Sequence, residues 1–293
     1  MTTAADHTTP GARLRHAVEQ KRGLVVPGAA NALAARVIET LGFEAVYLSG
    51  AGLTNTFYGM PDLGFVGLSD IAAHTAAIRD AVALPIIVDA DTGFGNALNV
   101  RHTVRTLERA GANAIQLEDQ VSPKKCGHFA GKAVVPQDEM LAKVRAALDA
   151  RASSDFLVIA RTDAAAIDGV DAAIARAQAF AEAGADITFV EAPESAEALA
   201  RIAREIKCPQ VANVVIGGKT PTLDARAFAE MGFGLVLYAN AALQGAVLGM
   251  TRALQQLQET GRLDEDSGLV ATFAERQALV RKPEFDAMDQ RYA

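Results

Sequence analysis

The amino-acid sequence predicts an α/β fold, a (β/α)8 TIM-type barrel with additional C-terminal helices, and three observations carry that prediction. Eight short runs of β-branched and aliphatic residues recur along the 293-residue chain. Ala-rich segments with apolar residues at helical spacing lie between them, and one helix-ending signal returns before four of the runs. Regular alternation of strand and helix favours a closed barrel over an open doubly wound sheet, which usually carries fewer strands and a reversal of strand order.

The predicted strands cover residues 24–26, 45–48, 85–88, 114–117, 156–160, 187–190, 211–215 and 235–238. Each is almost continuously hydrophobic, the pattern of parallel strands buried on both faces. Residues 170–183 exemplify the intervening segments and read as one amphipathic helix. Leu41-Gly42-Phe43, Ala110-Gly111-Ala112, Ala183-Gly184-Ala185 and Met231-Gly232-Phe233 each put glycine where a helix C-terminus calls for a left-handed residue. Two further helical stretches, 241–260 and 267–281, extend beyond the last strand and are expected to pack on another subunit. The whole chain, 1–293, reads as a single barrel domain with residues 1–12 flexible.

Composition narrows the functional classes. Half the residues are hydrophobic, 22% are charged and 5% are aromatic, as in a soluble globular protein with a core of Ala, Val, Leu and Ile. A net charge of −7 argues against a general affinity for nucleic acid or an anionic membrane. Residues 1–11 contain no apolar core of the signal-peptide kind, and no run approaches the roughly 18 apolar residues that span a bilayer, so a cytoplasmic location is expected. Two cysteines, Cys126 and Cys208, make no disulfide framework.

Reactive groups in such barrels sit at the C-terminal ends of the strands. There the sequence turns polar: Ser49-Gly50-Ala51-Gly52, Asp89-Ala90-Asp91, Glu118-Asp119-Gln120, Arg161-Thr162-Asp163, Glu191, and Gly217-Gly218-Lys219-Thr220 beyond the seventh run. Asp89, Asp91 and Glu118 would set three carboxylates around one point, which is costly without a cation. Mg²⁺, with Mn²⁺ as alternative, takes oxygen ligands and keeps several waters, whereas helix capping and rim ion pairs are the plainer reading. Arg161 calls for an anion, either a substrate carboxylate or an internal partner in Asp163 or Glu191. The small residues from Ser49 to Gly52 offer backbone N–H groups to a carboxylate or phosphate oxygen. Gly93-Phe94-Gly95 lacks the full spacing of a dinucleotide loop. His7, His16, His74 and His102 show no paired metal-ligand spacing, and Cys208 beside Pro209 reads as inert packing. Cys126 lies in Lys124-Lys125-Cys126-Gly127-His128, where two cations and an imidazole favour the thiolate. Gly127 and Gly131 mark a loop able to close over the end of the fourth strand, although an exposed basic loop with an incidental thiol has the same sequence.

With these motifs the chain resembles the isocitrate lyase and phosphoenolpyruvate mutase superfamily over residues 13–292. The segments that carry the resemblance are Val46-Tyr47-Leu48-Ser49-Gly50, Gly59-Met60-Pro61-Asp62-Leu63-Gly64, Val88-Asp89-Ala90-Asp91-Thr92-Gly93-Phe94-Gly95, Leu117-Glu118-Asp119-Gln120, Lys124 to His128, and Ala160-Arg161-Thr162-Asp163. It implies Mg²⁺ near Asp89, Asp91 and Glu118, and a homotetramer in which the last helix is exchanged between subunits. It also implies the lyase branch, because branches acting on carbon–phosphorus bonds, or only decarboxylating, generally lack the loop cysteine. The implied reaction is retro-aldol cleavage of a 2-hydroxy di- or tricarboxylate to a 2-oxo acid, pyruvate or glyoxylate, and a second carboxylate. In that scheme Cys126 protonates the carbanion, with His128 beside it in the loop. Arg161 binds a carboxylate, and Ser49, Gly50 and Ala51 hold the 2-oxo acid end. Glu191 and Asn213 join the substrate site, and Tyr47 or Asp62 moves or orients the hydroxyl proton.

Departures from the family pattern bear on the substrate. Methylisocitrate lyases usually carry Asn-x-Thr-Glu-Phe-Gly after the seventh strand, where this chain reads Asn213-Val214-Val215-Ile216-Gly217. Val215 and Ile216 leave fewer groups for a third carboxylate, and the following Gly217-Gly218-Lys219-Thr220-Pro221 is similar to alkylmalate and dimethylmalate lyases. Ala51 replaces a common glycine, and Ala30-Asn31 a common Tyr-Asp. The expected order is an alkylmalate-type lyase, then 2-methylisocitrate lyase, then an oxaloacetate hydrolase or decarboxylase, with a non-catalytic carboxylate-binding barrel as the reading from another class.

Overall fold

A computed structural model of the chain describes residues 9–125, 127 and 131–293. Eight parallel strands close a barrel in sequence order: β1 (Leu24–Ala29), β2 (Val46–Leu48), β3 (Ile86–Asp89), β4 (Ala114–Glu118), β5 (Leu157–Thr162), β6 (Ile187–Val190), β7 (Gln210–Asn213) and β8 (Leu235–Tyr238). The last strand returns to the first, with Leu24 opposite Leu235 and Val26 opposite Leu237. All eight predicted runs are strands, and the four predicted glycine signals are left-handed, with φ of 82° at Gly42, 101° at Gly111, 104° at Gly184 and 94° at Gly232.

Continuous hydrophobicity has the expected cause, since alternate residues of one strand serve two cores. Val26, Ile87, Ile159, Phe189, Val211 and Leu237 fill the barrel interior. Their strand neighbours Val88, Ile115, Leu117 and Val158 pack in the outer layer with Val100, Val104 and Val144 of the surrounding helices. The register then fixes which polar residues meet at the strand ends. Asp89 is level with Gln116, and Glu118 with Arg161.

Strand ends shift by one to three residues at six of the eight runs, and three differences from the prediction matter further. β7 spans Gln210–Asn213, so Val214 and Val215 lie beyond it, in the segment leading to the loop. Thr9 caps a helix, Pro10–Glu19, whose Leu14, Ala17 and Val18 join the interior core, so residues 9–12 are built into the fold. The stretch predicted as one helix at 267–281 is a 3-10 turn, Glu265–Ser267, and a helix, Phe273–Leu279, followed by a second helix, Lys282–Tyr292. Gly268 in the left-handed region ends the first, Thr272 and Glu275 form a capping box for the second, and a proline in its first turn starts the third. The helix predicted at 241–260 is present as Ala241–Thr260, with Val247, Met250, Leu254 and Leu257 exposed along it and only Ala253 buried. Among the described residues no helix is long and apolar enough to cross a membrane.

Candidate active site

At the C-terminal mouth of the barrel, one pocket of about 60 Å³ is walled by Tyr47, Ser49, Ala51, Asp62, Asp89, Glu118, Arg161, Glu191 and Asn213. Gly50 and Asp91 stand directly behind it. Every described residue singled out for the site from the sequence is therefore in or against one cavity. Cys126 and His128 lie outside the described residues.

The turn after β2 is the start of a helix, Gly50–Tyr58, capped by Ser49, whose Oγ accepts the Gly52 N–H at 3.1 Å. Its donors are mostly engaged within the protein, which corrects the reading of a free N–H cradle. The Ser49 N–H goes to the Ala29 carbonyl at 3.3 Å and the Gly50 N–H to Asp89 Oδ2 at 3.3 Å. Glycine at position 50 leaves room for these acids, since a Cβ there would lie 3.1 Å from Asp89 Oδ2 and 3.4 Å from Asp91 Oδ1, a tight fit that would press on the first. Asp91 itself has φ 45°, a costly conformation for a non-glycine residue. Its N–H donates to Asp89 Oδ1 at 3.3 Å and its carbonyl accepts the Glu118 N–H at 2.9 Å. Buried Lys143 anchors the next carbonyl, Thr92, at 3.2 Å.

Electrostatics dominate the pocket. Asp62, Asp89, Asp91, Glu118, Asp163 and Glu191 are buried together, and among the described residues the buried cations beside them are Lys124, Arg161 and Lys132. Lys124 Nζ lies 2.7 and 2.8 Å from the two Asp62 oxygens and 2.9 Å from Asp91 Oδ1. Burial disfavours its charge, but Asp91, Asp89, Glu118 and Asp62 overcome that and raise its pKa well above the usual value. Arg161 donates from Nε and Nη2 to Asp163 at 2.9 and 3.1 Å, with Glu118 at 3.5 Å and Glu191 at 3.6 Å. The internal partner anticipated for Arg161 is thus present in Asp163, with Glu191 beside it. Burial first, with Asp89 adding to it, pushes Asp91 up to about 7 despite Lys124, and burial raises Glu118 well above the carboxylate range. Both shifts express one imbalance: without a further cation, protons are what neutralises these acids.

Tyr47 is buried and its hydroxyl donates to Gln116 Oε1 at 2.9 Å. Burial and Asp89 raise its pKa well above the ordinary phenol value, so it works as a neutral hydroxyl. Asp62 is fixed by Lys124. Asn213, at the end of β7, points its amide at Glu191 across 3.3 and 3.4 Å. Val215 lines the pocket, but Ile216 is 50% exposed and does not, so only one of the two apolar residues noted after β7 reaches the site. Cys208 is half-buried with Thr188 Oγ1 at 3.3 Å, as packing requires.

The segment after β4 folds back on itself. The Val121 N–H bonds the Ala133 carbonyl and the Val135 N–H the Asp119 carbonyl, each at 2.8 Å. Gln120 brackets Lys125, accepting its N–H at 3.0 Å and donating to its carbonyl at 2.8 Å. Gly127 lies in the pocket wall, so tightly that a Cβ there would fall 2.2 Å from Glu191 Oε1 and 2.3 Å from Arg161 Nη2. Asp119 anchors the base: its carboxylate accepts from Thr162 Oγ1 at 2.7 Å, the Asp163 N–H at 2.9 Å and Arg176 Nε at 2.9 Å. Sequence reasoning missed Gln116, Lys132, Lys143 and the pocket-lining Asn240, whose Oδ1 accepts from Ser49 Oγ at 3.3 Å, because their contribution depends on contacts distant along the chain.

A family model described as phosphoenolpyruvate phosphomutase matches residues 14–258. The chain belongs to the phosphoenolpyruvate mutase/isocitrate lyase superfamily. A 2,3-dimethylmalate lyase from Eubacterium barkeri is 40% identical over 282 residues, covering 96% of this chain and 98% of the relative. A 2-methylisocitrate lyase from Aeropyrum pernix is 45% identical over 252 residues, covering 86% and 81%. Among solved structures, 2,3-dimethylmalate lyase superposes with a TM-score of 0.91 at 35% identity, over 98% of this chain and 96% of that one. Phosphonopyruvate hydrolase in complex with oxalate and Mg²⁺ superposes with a TM-score of 0.87 at 31% identity, over 97% and 99%. Within this superfamily the chain is an enzyme of the lyase type.

The fit to a divalent cation rests on the oxygens left over. Glu118 Oε1 and Asp91 Oδ1 are buried with no hydrogen-bond donor among the described residues. The second does have Lys124 Nζ at 2.9 Å, a distance that makes an ion pair without hydrogen-bond alignment. No group of three His, Cys, Asp or Glu side chains among the described residues closes into a metal-holding set, so Asp89, Asp91 and Glu118 do not form a ready three-carboxylate shell. They suit Mg²⁺ in its usual manner, held directly by one or two carboxylates and through water by the rest.

Proposed function

We propose that the chain cleaves the C2–C3 bond of a small 2-hydroxy dicarboxylate of the alkylmalate type, with Mg²⁺ bound at Asp89, Asp91 and Glu118, releasing a 2-oxo acid and a second carboxylate. The observation that carries this reading is the excess of buried acids around one guanidinium, in a pocket whose β7 and β8 side is closed by Val215, Leu237 and Ala239. On that side the donors are the amides of Asn213, already turned to Glu191, and Asn240, so a third carboxylate would meet mainly apolar groups there, which favours an alkyl substituent over a tricarboxylate.

Bound Mg²⁺ supplies Lewis-acid polarisation at the 2-hydroxy acid end. Arg161, pinned by Asp163 through Nε and Nη2, offers its remaining donors to a substrate carboxylate. The Tyr47 hydroxyl donates to Gln116, which leaves its oxygen as an acceptor able to orient the substrate hydroxyl. Asp62, paired with Lys124, receives the hydroxyl proton. As the C2–C3 bond breaks, its electron pair stays on C3, and the Cys126 thiol delivers the proton that completes the carboxylate product. General acid help of this kind contributes about a hundred- to ten-thousand-fold. A free catalytic thiol suits a reducing, cytoplasmic setting. The exposed apolar row on Ala241–Thr260 supports a homotetramer built through the C-terminal helices.

The second reading, 2-methylisocitrate lyase, draws support from the Aeropyrum relative. A panel of malate, citramalate, 2,3-dimethylmalate, isocitrate and methylisocitrate, assayed with Mg²⁺ for pyruvate and glyoxylate, separates the two. We expect pyruvate or glyoxylate from an alkylmalate and at least a hundredfold loss in Cys126→Ser with Mg²⁺ binding intact. Glyoxylate from isocitrate alone, or full activity in Cys126→Ser, would overturn the reading. Light scattering on the same preparation should give four times the 30.7 kDa chain mass, and a monomer would remove the assembly.

A further inference from the structure

Lys132 has no part in the chemistry described so far, yet its side chain is only 2% exposed and its charge is committed to two partners. Nζ donates to Asp163 Oδ1 at 2.7 Å and to the Gly127 carbonyl. Asp163 is fully buried, and the same Oδ1 accepts Arg161 Nη2 at 3.1 Å while Oδ2 accepts Arg161 Nε at 2.9 Å. One carboxylate thus joins two cations, and one ammonium joins that carboxylate to the backbone at Gly127.

The far side of Gly127 closes the arrangement. Its Cα sits so near the Arg161–Glu191 pair that no side chain fits between them, so this stretch of backbone keeps water from the guanidinium. An ion pair strengthens as water is excluded, and so does the grip of a guanidinium on a bound carboxylate. Burying the Lys132 ammonium costs energy that its two hydrogen bonds offset, and a neutral apolar side chain would avoid that cost. The charge is therefore placed for what it holds, namely both neighbours of Arg161.

We propose that Lys132 is a positioning residue for the substrate carboxylate: it fixes Asp163 on one side of Arg161 and the Gly127 backbone on the other, so that the guanidinium meets its anion in one orientation and out of water. The inference rests on the lyase reading for the substrate, but its test does not.

Wild type is compared with Lys132→Met, Lys132→Gln and Lys132→Arg, reading kcat and KM on the panel acid that is cleaved, calorimetric affinity for oxalate with Mg²⁺, and Tm. Lys132→Met should raise KM and weaken oxalate at least tenfold with Tm within a few degrees of wild type. Lys132→Gln keeps a donor for Gly127 without the charge for Asp163 and should fall between, while Lys132→Arg should recover most of the affinity. Oxalate affinity unchanged in Lys132→Met and Lys132→Gln overturns the proposal, as do losses shared equally by all three variants in step with Tm. Oxalate binding without cleavage of any 2-hydroxy acid by the wild type overturns only the substrate reading, because the binding comparison still stands. A wild type that neither cleaves nor binds oxalate overturns both.

Discussion

Replacing Gly127 by alanine would displace Arg161, the substrate anchor proposed above, while sparing the fold. The change adds one methyl group at this position. That methyl would lie 2.2 Å from Glu191 Oε1, 2.3 Å from Arg161 Nη2 and 2.7 Å from Glu191 Cγ, against a practical minimum of 3.0 Å. The two tips must retreat by roughly 0.8 Å. Both are ends of flexible side chains, with no backbone atom among the nearest neighbours. The stability cost therefore falls at the low end of overpacking, about 1 kcal/mol, which lowers Tm by about 2–4 °C in a chain of this size. The cost to turnover is larger, since a misplacement of about 1 Å at the reacting groups is worth about a hundredfold, or about 2.7 kcal/mol. Steady-state kcat/KM on the cleaved acid, measured beside calorimetric Tm, reads both. Activity within threefold of wild type would refute the placement of Arg161 and Glu191 at the substrate, and a Tm lowered by more than about 10 °C would refute the yielding of the tips.

Two other perturbations follow from the charges. Glu118→Gln keeps the side-chain shape but removes the acid whose Oε1 has no donor among the described residues, and should weaken Mg²⁺ at least tenfold by calorimetry. Unaltered Mg²⁺ affinity would take Glu118 out of the metal site. Asp163 responds to acid: burial alone would raise its pKa, but Arg161 and Lys132 outweigh that and hold it below the ordinary carboxylate value. A group depressed in the folded state contributes stability above its unfolded pKa, about 3.9, and loses it as the pH falls through the folded value. Stability should therefore drop steeply below about pH 4 in wild type and less steeply in Asp163→Asn, and equal slopes in urea titrations would refute the assignment.

The strands were legible because burial on both faces leaves continuous apolar runs, and the helix ends because a left-handed C-terminal residue is nearly always glycine. Residues 267–281 misled because composition there favours helix throughout, while the breaks come from local hydrogen bonds at Thr272 and a left-handed Gly268. The site acids could be read from their place after each run, since the register of a barrel brings strand ends to one rim. Their pairing was less legible. Lys124 was noted only for its effect on a neighbouring thiol, yet its ammonium is bound to Asp62, 62 residues away. Lys132 carries no local signal at all, with Asp163 31 positions distant. Short-range pattern marks which residue types stand at the rim, and long-range geometry decides which of them share a proton or a charge.

The stretch between Asp119 and Val135 is closed on itself at its base, and it sends two cations into the acid cluster, Lys124 to Asp62 and Asp91 and Lys132 to Asp163. The two are therefore coupled by charge. An insert of different length or side chains, stitched between the same two anchor points, would present a new reagent while having to supply those two positive charges again. One scaffold could in this way exchange bond cleavage with protonation for attack by water, with no strand rebuilt.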